Sequence, residues 1–221
     1  MNLLLQISTA PEVAPAVADQ SISFLELAMK GGPVMLPILV LSVATVYFWM
    51  ERYRFIRPFL KREKDYLEQV IKYIEGSDLN AAKNFSDRAS HGTSSVISYG
   101  IGAIGKPLRE VEAIVEGAAN IQVAEMERRL GYLGVIAGVA PMLGFLGTIS
   151  GIIRIFWDIS ISNNISIGII AGGLYEKMIA SGSGLLVGVF AYFAYHMLHQ
   201  SIERYGLYVQ KDVFRFLQTI R

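Results

Sequence analysis

Three long stretches without charge decide what this chain can become. Residues 31–50 contain no charged side chain, residues 130–153 contain none, and between 159 and 200 only Glu176 and Lys177 interrupt. A bilayer core of roughly 30 Å takes about 20 helical residues at a rise of about 1.5 Å each, so each stretch is long enough to span it. The third apolar run, 165–198, would measure roughly 50 Å as a helix and is expected to protrude past the hydrocarbon. The fold class that follows is an all-α membrane protein with three transmembrane helices.

Composition agrees, with 52% of the 221 residues hydrophobic and 18% charged. The net charge of +1, with Lys and Arg interleaved among acids, gives no basic stripe and therefore no nucleic-acid partner. The absence of cysteine excludes disulfides, thiolate nucleophiles and cysteine metal clusters. The first twenty residues lack a basic leading region, and their apolar part is short for a signal peptide, so they read as a retained tail.

Flanking charge sets direction, because cytoplasmic loops keep Lys and Arg. Arg52, Arg54, Arg57, Lys61, Arg62 and Lys64 follow the first span, while Lys30 alone precedes it. Arg128 and Arg129 precede the second span, and Arg204, Lys211 and Arg215 follow the third. The amino terminus is expected outside and the carboxyl terminus in the cytoplasm. The chain then divides into an outer tail and helix (1–30), a first span (31–50), a cytoplasmic helical segment (51–129), a second span (130–156), an outer turn (157–166), a third span (167–198) and a cytoplasmic helix (199–221).

Within the cytoplasmic segment, "KREKDYLEQVIKYIEG" reads as a helix ending at Gly76, and the Gly- and Ser-rich "SDRASHGTSSVISYGIGAIGKP" reads as an irregular connection. From Pro107 a helical pattern can run unbroken into span two. In the final segment Ile202, Tyr205, Val209, Val213, Phe216 and Ile220 recur at helical spacing, an amphipathic face for another helix or, alternatively, a membrane surface.

A short polar turn joins spans two and three. If the hairpin is symmetric about Ser162, Thr148 lies level with Glu176. Pro141, Gly144, Gly147 and Gly151 on span two, and Gly184 and Gly188 on span three, are expected to let the helices pack closely. Gly172, Glu176, Ala180, Gly184 and Gly188 recur at intervals of four and are expected on one contact face. A charge facing lipid costs about 2.5 to 3.5 kcal/mol at a helix centre, so Glu176 should face protein or water. Thr148, Ser181 and Ser183 extend a polar path with it, or bond back to their own helices. Lys177 pairs elsewhere or snorkels outward. His196, His199 and Glu203 share a face at metal-ligand spacing, but interfacial polar residues are the commoner explanation and no metal is expected. No phosphate loop, "GxSxG" or "HExxH" occurs, and nothing argues for an enzyme.

The stretch "ERRLGYLGVIAGVAPMLGFLGTISGIIRIFW", with its core "APMLGFLGTISGI", resembles the signature of the ExbB, TolQ and MotA family of proton-channel stators. "YEKMIASGSGLLVG" resembles that family's third helix. The resemblance implies a homopentamer in the bacterial inner membrane, with long cytoplasmic extensions and its second and third helices around a central pore. One-span partners like ExbD or TolR would each bring an aspartate, and a TonB-like or Tol-like transducer would carry force onward. Protons would be the coupling ion, with no other cofactor. Thr148 and Glu176 match the family's pore threonine and glutamate, and Ser181 stands for its second threonine. Lys177 replaces a small residue, and "VGVFAYF" lacks the usual proline. The lead reading is an ExbB-like stator for outer-membrane transport, the near alternative a TolQ-like or gliding-type stator for envelope integrity or motility, and the different-class alternative a non-conducting scaffold using the same glycine faces for assembly.

Overall fold

The computed structural model describes residues 31–61, 65–89, 92–162 and 167–221, so the tail and helix expected over 1–30 fall outside the described residues. Its helices are α1 (Met35–Phe59), α2 (Tyr66–Glu75), α3 (Leu79–Arg88), α4 (Ser94–Gly102), α5 (Leu108–Glu127), α6 (Leu130–Ser162) and α7 (Ile167–Thr219). Three of these are long and apolar enough to cross a membrane: α1, α6, and α7, whose 53 residues correspond to roughly 80 Å. The third apolar run belongs to this one helix, which continues through the amphipathic segment 199–219.

The α6–α7 hairpin forms the centre of the membrane part. Its axes approach closely because glycine removes the side chains between them. A Cβ placed on Gly184 would lie 2.5 Å from the Ala140 carbonyl oxygen and 3.0 Å from the Gly144 Cα. A Cβ on Gly144 would lie 3.0 Å from the Ser181 Cα. Such spacing brings Cα–H groups against carbonyl oxygens and recovers packing that lipid cannot drive. Pro141 lies within the continuous α6, its ring against Gly188, where an added Cβ would be 2.5 Å from Cγ. Proline cannot donate to the Ala137 carbonyl, whose oxygen faces the same Gly188 position at 3.1 Å. Ile136, Ala140 and Ala191 form a small core there, against which Leu41 and Ala44 of α1 pack.

Three sequence expectations change. The outer turn expected over 157–166 is shorter, because α6 continues to Ser162. No Gly or Pro occurs between Trp157 and Ser162, and the Ser162 hydroxyl donates to the Asp158 carbonyl at 2.8 Å, continuing the helix. The irregular connection expected after Ser86 contains the α4 helix. Buried Val96, Ile97 and Ile101 hold it to the bundle, and Gly100 admits Phe216 and Val115, whose atoms would be 2.6 and 2.8 Å from an added Cβ. Tertiary packing thus overrides weak helix propensity.

The third change is a joint where an unbroken helix was expected. Arg128 takes ψ 132° and Arg129 the left-handed φ of 66°, separating α5 from α6. The reason lies at the end of α1. Buried Arg52 donates to the Arg128 carbonyl at 2.9 Å, and Glu51 accepts from Arg52 at 3.0 Å and from Arg129 at 2.7 Å. This network satisfies a carbonyl freed at the end of α5 and compensates a backbone conformation that is unfavourable for arginine.

Beyond the joint, α2–α5 pack around the end of α7. Val70, Ile97, Val115, Tyr205 and Phe216 are among the buried residues of one continuous core. The Tyr205 hydroxyl donates to the Gly92 carbonyl at 2.7 Å and lies 2.7 Å from the Gln122 carboxamide. Tyr66 and Ser86 share a buried hydrogen bond of 2.6 Å, and burial pushes the Tyr66 phenol up to about 12.

Candidate functional site: the turn-side half of the α6–α7 hairpin

The glycine contacts fix the register of the hairpin. Gly144 meets Ser181, Gly147 meets Ala180, and Gly151 meets the Lys177 stem. Thr148, one residue beyond Gly147 and three before Gly151, is therefore bracketed by Ala180 and Lys177. The expectation that Thr148 lies level with Glu176 is corrected by almost one helical turn.

Rotation matters as much as depth. Thr148 stands seven residues beyond Pro141, and Ser181 seven before Gly188, so both continue the Pro141–Gly188 seam towards the hairpin turn. The two hydroxyl residues are half-buried on facing helices, Ser181 level with Gly144 and Thr148 about one turn nearer the hairpin turn. The Thr148 hydroxyl donates to the Phe145 carbonyl at 2.6 Å, leaving its lone pairs available as acceptors. Ser181 and Ser183 make no side-chain hydrogen bond among the described residues.

Glu176 is not with them. Five residues separate it from Ser181, which is about 140° around the helix, whereas Ser183 lies within about 20° of its direction. The expected polar path thus divides into a Thr148–Ser181 face and a Glu176–Ser183 face. Glu176 is exposed and makes no ion pair among the described residues. Its side of α7 is the one that, further along, carries Val187 and Ala191 towards α1.

The expected stripe of Gly172, Glu176, Ala180, Gly184 and Gly188 is corrected for the same reason. A four-residue repeat drifts about 40° per step on a helix with 3.6 residues per turn. Gly172 faces open space and Glu176 is exposed, whereas Ala180, Gly184 and Gly188 keep the expected contact and Gly173, Lys177 and Ser181 join them along the seam. Gly173 seats Ile155, and Gly151 seats the aliphatic stem of Lys177, whose ammonium reaches the turn before α1. A Cβ on Gly32, which holds a φ of 78°, would lie 3.2 Å from Lys177 Nζ. Lys177 therefore takes the contact position expected for its neighbour, burying its methylenes while its charge reaches the head of α1.

Of the joint residues, Arg52 and Arg129 read in the sequence only as markers of orientation, and Glu51 carried no reading. Adjacent opposite charges at the end of one span, facing two arginines at the start of the next, were the available signal. Farther along α7, His199 and Glu203 approach to 3.6 Å and Tyr195 stacks on His199, but among the described residues no group of three candidate ligands gathers for a metal.

Residues 86–211 match the MotA/TolQ/ExbB proton channel family. The chain is 29% identical over 202 residues to "Putative biopolymer transport protein ExbB-like 1" of Synechocystis, spanning 87% of this chain and 76% of that protein. It is 26% identical over 196 residues to "Tol-Pal system protein TolQ" of Haemophilus influenzae, spanning 80% of this chain and 84% of that one.

Proposed function

The chain belongs to the MotA/TolQ/ExbB proton channel family, and from that premise we propose that it is the stator subunit of a motor driven by the proton-motive force. It is a multi-pass inner-membrane protein, with its amino terminus in the periplasm and its carboxyl end in the cytoplasm. Five copies surround a pore lined by α6 and α7. A one-span partner like ExbD or TolR occupies the pore, and its aspartate exchanges protons. The client is a TonB-like transducer that energises outer-membrane transport.

The observation that carries this reading is the placement of Thr148 and Ser181, about one turn apart, along the close-packed helices. Hydroxyls can both donate and accept, so two of them beside a partner carboxyl can relay a proton that an apolar seam would stop. Glu176 acts from its separate exposed face at the outer entrance, where a carboxylate raises the local concentration of protons and other cations. Glycine contacts keep the helices rigid, so that proton exchange moves the partner rather than the wall.

The test is substitution of Thr148 by Val and of Glu176 by Gln, with assembly and energy-dependent uptake measured in the same cells. We expect intact assemblies with impaired uptake in both. Normal uptake in both variants, with intact assemblies, would sink the proton-path reading.

The similarity to the Haemophilus TolQ protein supports a second client, a Tol-like machine maintaining the envelope. Restoration of detergent resistance to a strain lacking its own Tol stator, without restored uptake in one lacking its TonB stator, would select it.

A further inference from the structure

Charged faces of α5 and α7 have no ion-pair partner among the described residues of the protomer. On α7, Lys211, Phe214 and Arg215 are exposed on one side, Phe214 with 64% of its surface accessible. On α5, Glu112, Ala113 and Glu116 are exposed on one side. None of these four charges makes an ion pair among the described residues. The two faces cannot meet within one copy, because Val111 and Val115 turn the other side of α5 inward and Val209, Val213 and Phe216 do the same for α7.

Depth makes them complementary. The contact of Tyr205 with Gln122 at 2.7 Å sets α5 and α7 level there to within about one turn, and the meeting of Val115 with Phe216 over Gly100 shows them running antiparallel from there. Six residues back along α5 from Gln122 is Glu116, and six forward along α7 from Tyr205 is Lys211. Nine residues each way pairs Ala113 with Phe214, and ten pairs Glu112 with Arg215. In a ring about the membrane normal all copies share one depth, so residues level within a copy are the ones that can pair between copies. The matched positions alternate acid with base, acid with base, and a small residue with a large aromatic.

We infer that these faces are the two halves of one contact, by which α7 of each copy docks on α5 of the next copy of the same chain. The inference rests on the ring of the proposed function. It adds to that ring a charge-matched contact outside the membrane, which fixes the rotational order of the copies.

The sequence has no cysteine, so an introduced pair reports alone. Ala113→Cys with Phe214→Cys in the full-length protein, oxidised in native membranes, should give an intermolecular ladder ending at the closed ring. Glu116→Lys should reduce the ladder, and Glu116→Lys with Lys211→Glu should restore it. An intact ring without a ladder would overturn the contact alone, as would a double charge variant no better than the single one. A monomer in mild detergent would overturn the ring and the contact together. Binding of the Lys211–Arg215 face to phosphatidylglycerol vesicles, with no ladder, would assign the face to lipid and likewise overturn the contact.

Discussion

Substitution of Gly184 by alanine tests the closeness of α6 and α7. The new Cβ would lie 2.5 Å from the Ala140 carbonyl oxygen and 3.0 Å from the Gly144 Cα, both backbone atoms of a facing helix. No rotamer relieves such a contact, so the helices must part by about 1 Å, and overpacking of this kind costs about 1 to 3 kcal/mol. Gly182 supplies the control, because nothing lies within 4 Å of its added Cβ. Both substitutions gain the same helix propensity, up to about 1 kcal/mol, so their difference isolates the packing cost. Gly184→Ala should be less stable than Gly182→Ala by that about 1 to 3 kcal/mol, or about 5- to 150-fold in the folding equilibrium. Reversible unfolding in bicelles, followed by helix-pair fluorescence transfer, measures it. Equal stability of the two variants would refute the backbone-contact account of the seam.

Other residues give separate tests. Gly151→Ala should destabilise the hairpin, because its Cβ collides with the Lys177 stem, and adding Lys177→Ala should recover part of the loss in a double-mutant cycle. Arg52→Met should strand the Arg128 carbonyl and leave Glu51 with Arg129 alone, at a cost of about 1 to 3 kcal/mol, and hydrogen exchange near the α5–α6 joint should rise. Arg52→Lys should retain only part of that stability, since an ammonium lacks the guanidinium fork. Tyr205→Phe should cost about 1 to 3 kcal/mol in the bundle by stranding the Gly92 carbonyl, read by thermal denaturation. The Tyr66 phenol is raised above its ordinary value of 10.0 to about 12, so its contribution to stability is fully present below pH 10 and is lost as pH rises towards 12. Tyr66→Phe should flatten that alkaline loss in a pH-dependent denaturation series.

The spans were legible because charge-free runs of membrane length admit few other structures. The close seam was legible because Gly144, Gly147, Gly151, Gly184 and Gly188 punctuate those runs. What escaped was rotation. Assuming a hairpin centred on Ser162 moved Thr148 by most of a turn, and a shift of one residue turns a helix by about 100°, enough to exchange Glu176 for Lys177 on the contact face. The joint at Arg129 depends on Arg52, distant in sequence, so local propensity carries no sign of it. The α4 helix depends on Phe216 filling the space over Gly100, again a contact the local sequence does not display.

Proton flux tests the central claim most directly. The protein would be reconstituted with its one-span partner in liposomes carrying an interior pH dye, and acidification followed after an imposed gradient. Wild-type protein should pass protons, and Thr148→Val with Ser181→Ala should stop them while the complex stays assembled. Undiminished flux through that assembled double variant would contradict a proton route along the Thr148–Ser181 face.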